Sequence, residues 1–348
     1  MQEKPLIRSL SVELTPRCNQ KCAYCYNAWR ENNGLQIGEP DFESIEKMFC
    51  LVMDQVRLSS LTLTGGEPFI RTDIFRIIDL ANQEGLGVNI ISNGGLITRD
   101  TAEKLGQRKV NYVQITLAGA DAQTHDFLCG KGTFNKVNRA LDILRSCGVT
   151  GGGSYLCTSH NFNQAGEVFE LFVSLGVKQI AFNRFNPSGD PRRIVMSLMP
   201  TRSQVLQALT AANQKSGQYK LRVYNTMPIP PCVFDYQEFP NIKFSQCSAG
   251  IPDVQLAIGP DGNVRLCTLQ KQAVGYLWDT PLDSIISSEA VKRFREQIPD
   301  FCNECPLASV CLGGCGASAE WVFGSPAELD PFIAQHVMPD FGERILKC

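Results

Sequence analysis

Histidine is scarce in this chain, at three in 348 residues, and an excess charge of either sign is missing. Its 33 lysines and arginines against 35 aspartates and glutamates leave a formal net charge of −2. Without a basic stripe to neutralise phosphates, nucleic acid is not an expected partner. No apolar run approaches the ~20 residues that span a bilayer. The opening MQEKPLIRSLSVELTP also lacks the apolar centre of a signal peptide. These absences predict a soluble cytoplasmic protein with no membrane partner. At ~100–200 residues per domain, the length suggests two domains.

Cysteine is present in surplus, at fifteen residues. Secreted disulfide scaffolds usually exceed ~8–10% Cys in a short chain, about twice the density here. In a reducing compartment, clustered thiols read as metal ligands or catalytic groups. With so few histidines the ligand set is almost purely thiolate, which selects zinc or iron–sulfur clusters.

Short apolar runs alternate with amphipathic stretches from Ser9 to about Gly217. The runs are 9–15, 60–66, 87–93, 112–118, 154–159 and 179–186. Between them, Phe42, Ile45, Phe49, Val52 and Val56 share a helical face behind Asp41 as N-cap. Phe134, Val137, Leu141 and Leu144 form a second such face, and Val168, Phe169, Phe172 and Leu175 a third. This alternation predicts an α/β fold with a parallel sheet and right-handed crossovers. Six units are too few for a closed eight-stranded barrel, so a partial (β/α)6 TIM-type barrel is expected over 1–217. Ligands of such folds sit at the C-terminal strand ends. From about Asn225 the pattern becomes irregular, with prolines in MPIPPC (227–232). A hairpin at 254–267 and one helix at 281–298 are expected there. Metal clusters could staple so irregular a region.

After the first strand, TPRCNQKCAYCYN places Cys18, Cys22 and Cys25 in a C-x3-C-x2-C spacing. Three such thiolates can hold three corners of a cubane and leave the fourth iron open. The spacing alone also allows a zinc site completed by a distant cysteine. The second strand ends in Gly65-Gly66-Glu67-Pro68. There the glycines would let backbone groups approach a ligand, and Glu67 would offer a carboxylate to an ammonium. The third strand ends in Ser92-Asn93-Gly94, groups suited to a ribose. On the fourth, Val113, Ile115 and Leu117 should face the helices and leave Thr116 in the lumen.

Taken in order at successive strand ends, these motifs resemble the radical S-adenosylmethionine (SAM) superfamily. The resemblance implies that Cys18, Cys22 and Cys25 hold a [4Fe–4S] cluster with Tyr24 near the adenine. It implies that Gly65, Gly66, Glu67 and Pro68 hold the methionine amino group, and that Ser92, Asn93 and Thr116 contact ribose or carboxylate. The family's chemistry is reductive cleavage of SAM to a 5′-deoxyadenosyl radical that takes a hydrogen atom from an unactivated C–H bond. Thr116-Leu117-Ala118-Gly119 lacks the carboxylate usual there, and Cys129 stands where the family often has arginine. Arg184 is a candidate replacement contact for the SAM carboxylate, and Cys129 is expected to be a small buried residue or a pocket thiol.

Cys247, Gly262 and Cys267, followed by Cys302-x2-Cys305-x5-Cys311-x3-Cys315 and Cys348, resemble the SPASM domain of peptide-modifying radical enzymes, here expected over 218–348 with a bridging segment at about 218–246. The alternative from spacing is a pair of zinc ribbons. The family pattern implies that Cys247, Cys267 and Cys315 ligate one auxiliary cluster, and Cys302, Cys305, Cys311 and Cys348 the other. Cys232 is the expected fourth ligand of the first, or else a free cysteine that leaves an iron open. Three [4Fe–4S] clusters result. Cys50, Cys147 and Cys157 are expected to be packing residues.

Relatives of this kind modify ribosomally made peptides, so a precursor peptide with a leader is the implied substrate, and a crosslink, an epimer or an excised backbone fragment the product. His160, Asn161, Asn183, Arg184, Phe185 and Asn186 form a polar rim that could receive it. With a first strand by residue 9, no peptide-recognition domain is expected before the barrel, so the leader would be read by the SPASM half or by a separate protein. A flavodoxin or ferredoxin would serve as reductant. The rival readings are a radical enzyme on a small molecule such as a tetrapyrrole, and a non-catalytic zinc or electron-transfer protein.

Overall fold

The computed structural model describes residues 4, 6–7, 9–27, 38–188, 197–249, 251 and 255–343. A short parallel pair, β1 (Leu6–Ile7) with β3 (Arg57–Leu58), stands apart from the main sheet. The barrel wall is six parallel strands: β2 (Ser9–Glu13), β4 (Ser60–Thr64), β5 (Gly87–Ser92), β6 (Tyr112–Thr116), β7 (Gly151–Cys157) and β8 (Gln179–Arg184). They lie side by side in chain order, each pairing with the next. The crossovers carry α1 (Phe42–Gln55), α2 (Ile74–Gln83), α3 (Arg99–Gln107), α4 (Ala122–Cys129), α5 (Thr133–Ser146) and α6 (Ala165–Ser174). Helix α7 (Arg202–Tyr219) follows β8.

Local chemistry accounts for these boundaries. Asp41 caps α1 by accepting from the Ser44 amide at 2.8 Å, while Phe42, Ile45, Phe49 and Val52 are buried against the sheet. Thr201 and Gln204 close a reciprocal capping box at the start of α7. On β6, Val113 and Ile115 are fully buried while Gln114 and Thr116 are half-buried, the alternation expected of a barrel wall.

The sheet is open, as the count of six units predicts, yet it is wider than the barrel. Strands β9 (Arg222–Tyr224) and β10 (Ile242–Lys243) extend it in parallel beyond β8. On the opposite edge, β11 (Gln255–Ile258) pairs in parallel with β2, placing Leu256 beside Leu10 and Ile258 beside Val12. Antiparallel β12 (Asn263–Arg265) and β13 (Gly275–Tyr276) complete that edge. One sheet therefore runs through both halves, and the expected boundary at 217/218 falls in the last turn of α7.

The helix expected at 281–298 is two helices, α8 (Leu282–Ile286) and α9 (Glu289–Glu296). The Ser287 hydroxyl donates to the Asp283 carbonyl at 2.9 Å and ends the first, as serine does when it competes for helix carbonyls. Short helices α10 (Ala308–Cys311), α11 (Gly316–Phe323) and α12 (Pro331–Val337) finish the described chain. No helix among the described residues is long and apolar enough to cross a membrane.

Candidate metal and cofactor site

The loop carrying Cys18, Cys22 and Cys25 leaves the C-terminal end of β2, so its position depends on what holds it against the strand ends. The Gly66 amide donates to the Thr15 carbonyl at 2.7 Å, and the Glu67 amide to the Arg17 carbonyl at 2.8 Å. The two glycines are thus required by the loop itself. Gly65 has φ +126°, and a Cβ on Gly66 would lie 2.0 Å from the Arg17 carbonyl oxygen. On its far side the loop is held by the Ala23 amide, which donates to the Leu128 carbonyl at 2.8 Å. Cys18 is exposed and Cys22 and Cys25 are half-buried. Desolvation holds the Cys18 thiol above its ordinary value, with Glu67, Cys22 and Cys25 adding to it. A bound cation reverses that preference, because it stabilises the thiolate.

Glu67 differs from the expected free carboxylate. It is fully buried, and its oxygens accept from the Phe69 amide (3.1 Å), the Ser92 hydroxyl (2.9 Å) and the Asn93 amide (2.8 Å). Burial pushes it up to about 7 against the pull of those three donors. Its carboxylate is a brace that ties the Gly65–Pro68 turn to the third strand end, and Pro68 starts a 3-10 turn behind it. Asn93, held there by its backbone, donates its side-chain amide to Asn19 at 2.8 Å and lies 3.7 Å from the Cys18 sulfur. Thr116 sits half-buried at the end of β6.

Cys129 is buried, and its sulfur meets the Tyr24 hydroxyl at 3.0 Å while its carbonyl lies 3.8 Å from the Cys22 sulfur. The residue in the family's arginine position therefore fixes the aromatic residue of the cysteine loop. One turn earlier, His125 is fully buried. Its Nδ1 accepts from the Ala118 amide at 3.1 Å, and burial lowers it to about 4. The unfolded chain protonates this group near 6.5, so stability is full above that pH and is lost as pH falls toward 4. Titration in urea is expected to show a loss of up to about 3 kcal/mol over this window. In His125→Asn, which keeps an acceptor and cannot titrate, that slope should largely disappear.

The residues of the expected polar rim differ in their surroundings. Arg184 is a correction: it is fully buried, ion-paired with Asp330, and donates Nε to the Pro228 carbonyl at 3.1 Å. It cannot reach a ligand in the barrel because its guanidinium turns toward the C-terminal half. Asn183 is likewise occupied, its carbonyl oxygen accepting from the Thr226 amide (2.9 Å) and Met227 amide (3.1 Å). Asn161 donates to the Ala118 and Leu156 carbonyls, both at 2.8 Å, and Phe185 is buried. His160 is exposed and packs on Phe127, ring centroids 4.7 Å apart. Asn186 is buried, and neither atom of its amide has a partner among the described residues. An unpaired buried amide costs about 1–3 kcal/mol, which a ligand at this strand end would recover.

In the C-terminal half the thiols form two groups. Cys267 packs with Tyr26 and Met227 around Leu269, Cys315 and Ala317, and Cys247 lies near Cys267 and Cys315. Tyr26 follows Cys25, so this packing brings the first cysteine loop against the later cysteines; burial pushes its hydroxyl up to about 12. Cys302, Cys305 and Cys311 line a separate cavity, and Cys232 lines it with them. The structure thus groups Cys232 differently from the expected set of Cys247, Cys267 and Cys315. Cys348 lies outside the described residues.

Two buried ion pairs join these groups to the barrel. Glu13, the last residue of β2, pairs with Arg265, which also donates to the Thr268 carbonyl (3.2 Å) and Gln270 carbonyl (3.3 Å) around Cys267. Asp330 pairs with Arg184 and accepts from the Cys315 amide at 2.7 Å. Sequence reading missed both. Asp330 precedes Pro331, a helix-start signal, but nothing local announces a partner 146 residues away.

A family model described as the radical SAM superfamily matches residues 12–172, and one described as an iron-sulfur cluster-binding domain matches 247–306. Mycofactocin maturase MftC of Mycolicibacterium smegmatis is 30% identical over 331 residues, covering 92% of this chain and 80% of that protein. PqqA peptide cyclase of Rhizobium meliloti is 25% identical, covering 95% and 88%. Among solved structures, anSMEcpe with bound AdoMet superposes with TM-score 0.73 at 18% identity, covering 98% of this chain and 96% of that one. Streptococcus suis SuiB bound to precursor peptide SuiA gives 0.72 at 15%, covering 94% and 75%. With its thiolate loop held at the strand ends and its later cysteines in a SPASM region, the chain belongs to the radical SAM superfamily as an enzyme that uses SAM and iron–sulfur clusters.

Proposed function

We propose that this enzyme matures a ribosomally made precursor peptide that carries a leader. The observation that carries the reading is the match to a maturase along 92% of the chain. SuiB, of similar fold, holds a precursor peptide, which supports the same class of substrate. In this reading residues 1–217 generate the radical and 218–348 carry two auxiliary clusters, for three [4Fe–4S] clusters in all. A flavodoxin or ferredoxin supplies electrons, and the leader is read by the SPASM half or by a separate protein.

The first cluster and SAM together supply one-electron cleavage and hydrogen-atom abstraction. The protein's part is positioning. Cys18, Cys22 and Cys25 hold the cluster, and the Gly65–Gly66 turn fixes their loop. Glu67 holds Ser92 and Asn93, which with Thr116 on the next strand would contact the ribose or carboxylate. Tyr24, anchored by Cys129, would stand beside the adenine. Asn186, whose side-chain amide has no partner among the described residues, would be available to a ligand at the sixth strand end, and His160, exposed beside Phe127, would be available to the peptide.

The deciding experiment is anaerobic incubation with SAM, a reductant and the precursor peptide encoded beside the gene. Release of 5′-deoxyadenosine with a mass change in the peptide is the expected result. Loss of two hydrogens identifies desaturation or a crosslink, solvent isotope exchange an epimer, and a larger loss excision. Cleavage of SAM with an unaltered peptide would overturn the substrate assignment.

Cys129→Ala removes one hydrogen bond from Tyr24. At about 0.5–1.5 kcal/mol this predicts SAM binding roughly two- to tenfold weaker by equilibrium titration. Cys129→Ser should retain most of the affinity.

A further inference from the structure

Cys232 lies in the Pro-rich segment and is held there from several sides. The Val233 amide donates to the Pro230 carbonyl at 3.1 Å, and Arg202 Nε to the Val233 carbonyl at 3.1 Å. The Tyr236 hydroxyl donates to the Ile229 carbonyl, and Phe234 stacks on Phe332, centroids 6.2 Å apart. Such a segment presents a thiol at a fixed place. That place is the wall of a cavity of about 90 Å3, shared with Cys302, Cys305 and Cys311.

We propose that Cys232 is the fourth thiolate of the Cys302–Cys305–Cys311 site, which is therefore completed from the segment after the barrel. The assignment rests on reading these cysteines as iron–sulfur ligands, as proposed above. The four thiols border one open space. Three of them come from one short stretch with a C-x2-C-x5-C spacing, and the fourth crosses from 70 residues earlier. Cys232 also adjoins the anchor of the other group. It lies within electrostatic reach of Asp330, whose carboxylate holds the Cys315 amide.

The test compares single variants of the reconstituted holoenzyme by iron content and by electron paramagnetic resonance after dithionite reduction. Wild type should hold about 12 irons. Cys232→Ala and Cys302→Ala should remove or alter the same cluster signal, with up to about four irons lost. Cys247→Ala should alter a different one. The double variant Cys232→Ala/Cys302→Ala should lose no more iron than Cys302→Ala alone. Cys232→Ser, which keeps a small oxygen donor, should shift that same signal and covers the case in which alanine prevents folding. If Cys232→Ala affects the signal that Cys247→Ala affects, or affects none, the assignment is overturned. A wild-type chain with only about four irons would overturn the auxiliary-cluster reading together with it.

Discussion

Asp330→Ala is expected to destabilise the enzyme by about 3–5 kcal/mol, the cost of stranding one member of a buried ion pair. Both side chains of the Arg184–Asp330 pair are fully buried, so the guanidinium left behind could not be rehydrated without opening the interface. The loss exceeds the ion pair, because Asp330 also accepts from the Cys315 amide (2.7 Å) and the Phe332 amide (2.8 Å). Gly314 must pack against it, since a Cβ there would lie 2.5 Å from Asp330 Oδ2. Urea unfolding followed by circular dichroism measures the loss. Iron content should fall along with stability, because Cys315 would no longer be held in its turn. Arg184→Met combined with Asp330→Leu removes both charges and should recover part of the stability, as apolar replacement of buried pairs does. Recovery of stability without recovery of iron would separate the fold's use of Asp330 from its hold on Cys315.

Gly66→Ala should abolish assembly of the first cluster. A methyl group 2.0 Å from the Arg17 carbonyl oxygen meets main chain, which cannot swing aside as a flexible side chain would. Over-packing costs about 1–3 kcal/mol where side chains can yield, and this site lies at or beyond that range. The loop would have to leave the strand ends and lose the hydrogen bonds to Thr15 and Arg17. Reconstituted protein is expected to lack about four of its irons and to release no 5′-deoxyadenosine above background. Gly38→Ala, with nothing within 4 Å of its Cβ position, is the control and should match the parent. Full activity in Gly66→Ala would refute the role given to this turn.

Sequence legibility followed the range of the forces involved. The six barrel strands and the α1 cap are local matters of periodicity and side-chain chemistry, and they stand in the structure where their patterns put them. The cysteine spacings and the Gly65–Pro68 turn are local too. Pairing across the chain left no such trace. The residues of β11 look like one arm of a hairpin, and nothing in them specifies that their other edge joins β2. Arg184 at a strand end looked like a ligand contact because Asp330 was invisible to it. Glu67 looked like a carboxylate for a cofactor, and its burial under Ser92 and Asn93 depends on two strands meeting. Cys232 could be recognised as a ligand type, but its neighbours are a property of the folded chain.

The parallel pairing of β2 with β11 joins Leu10 to Leu256. On the ribosome, at about 5–20 residues per second, the first barrel strand waits roughly 12–50 seconds for that neighbour. During the wait its outer hydrogen-bonding edge is bare, the kind of edge that invites pairing with other chains. The ion pair between Glu13, at the end of the strand, and Arg265 likewise forms only after the hairpin has been made. Expression yield should therefore depend on how fast the last third of the chain follows the barrel. Slow translation between 224 and 255 would favour aggregates built on the unpaired β2 edge.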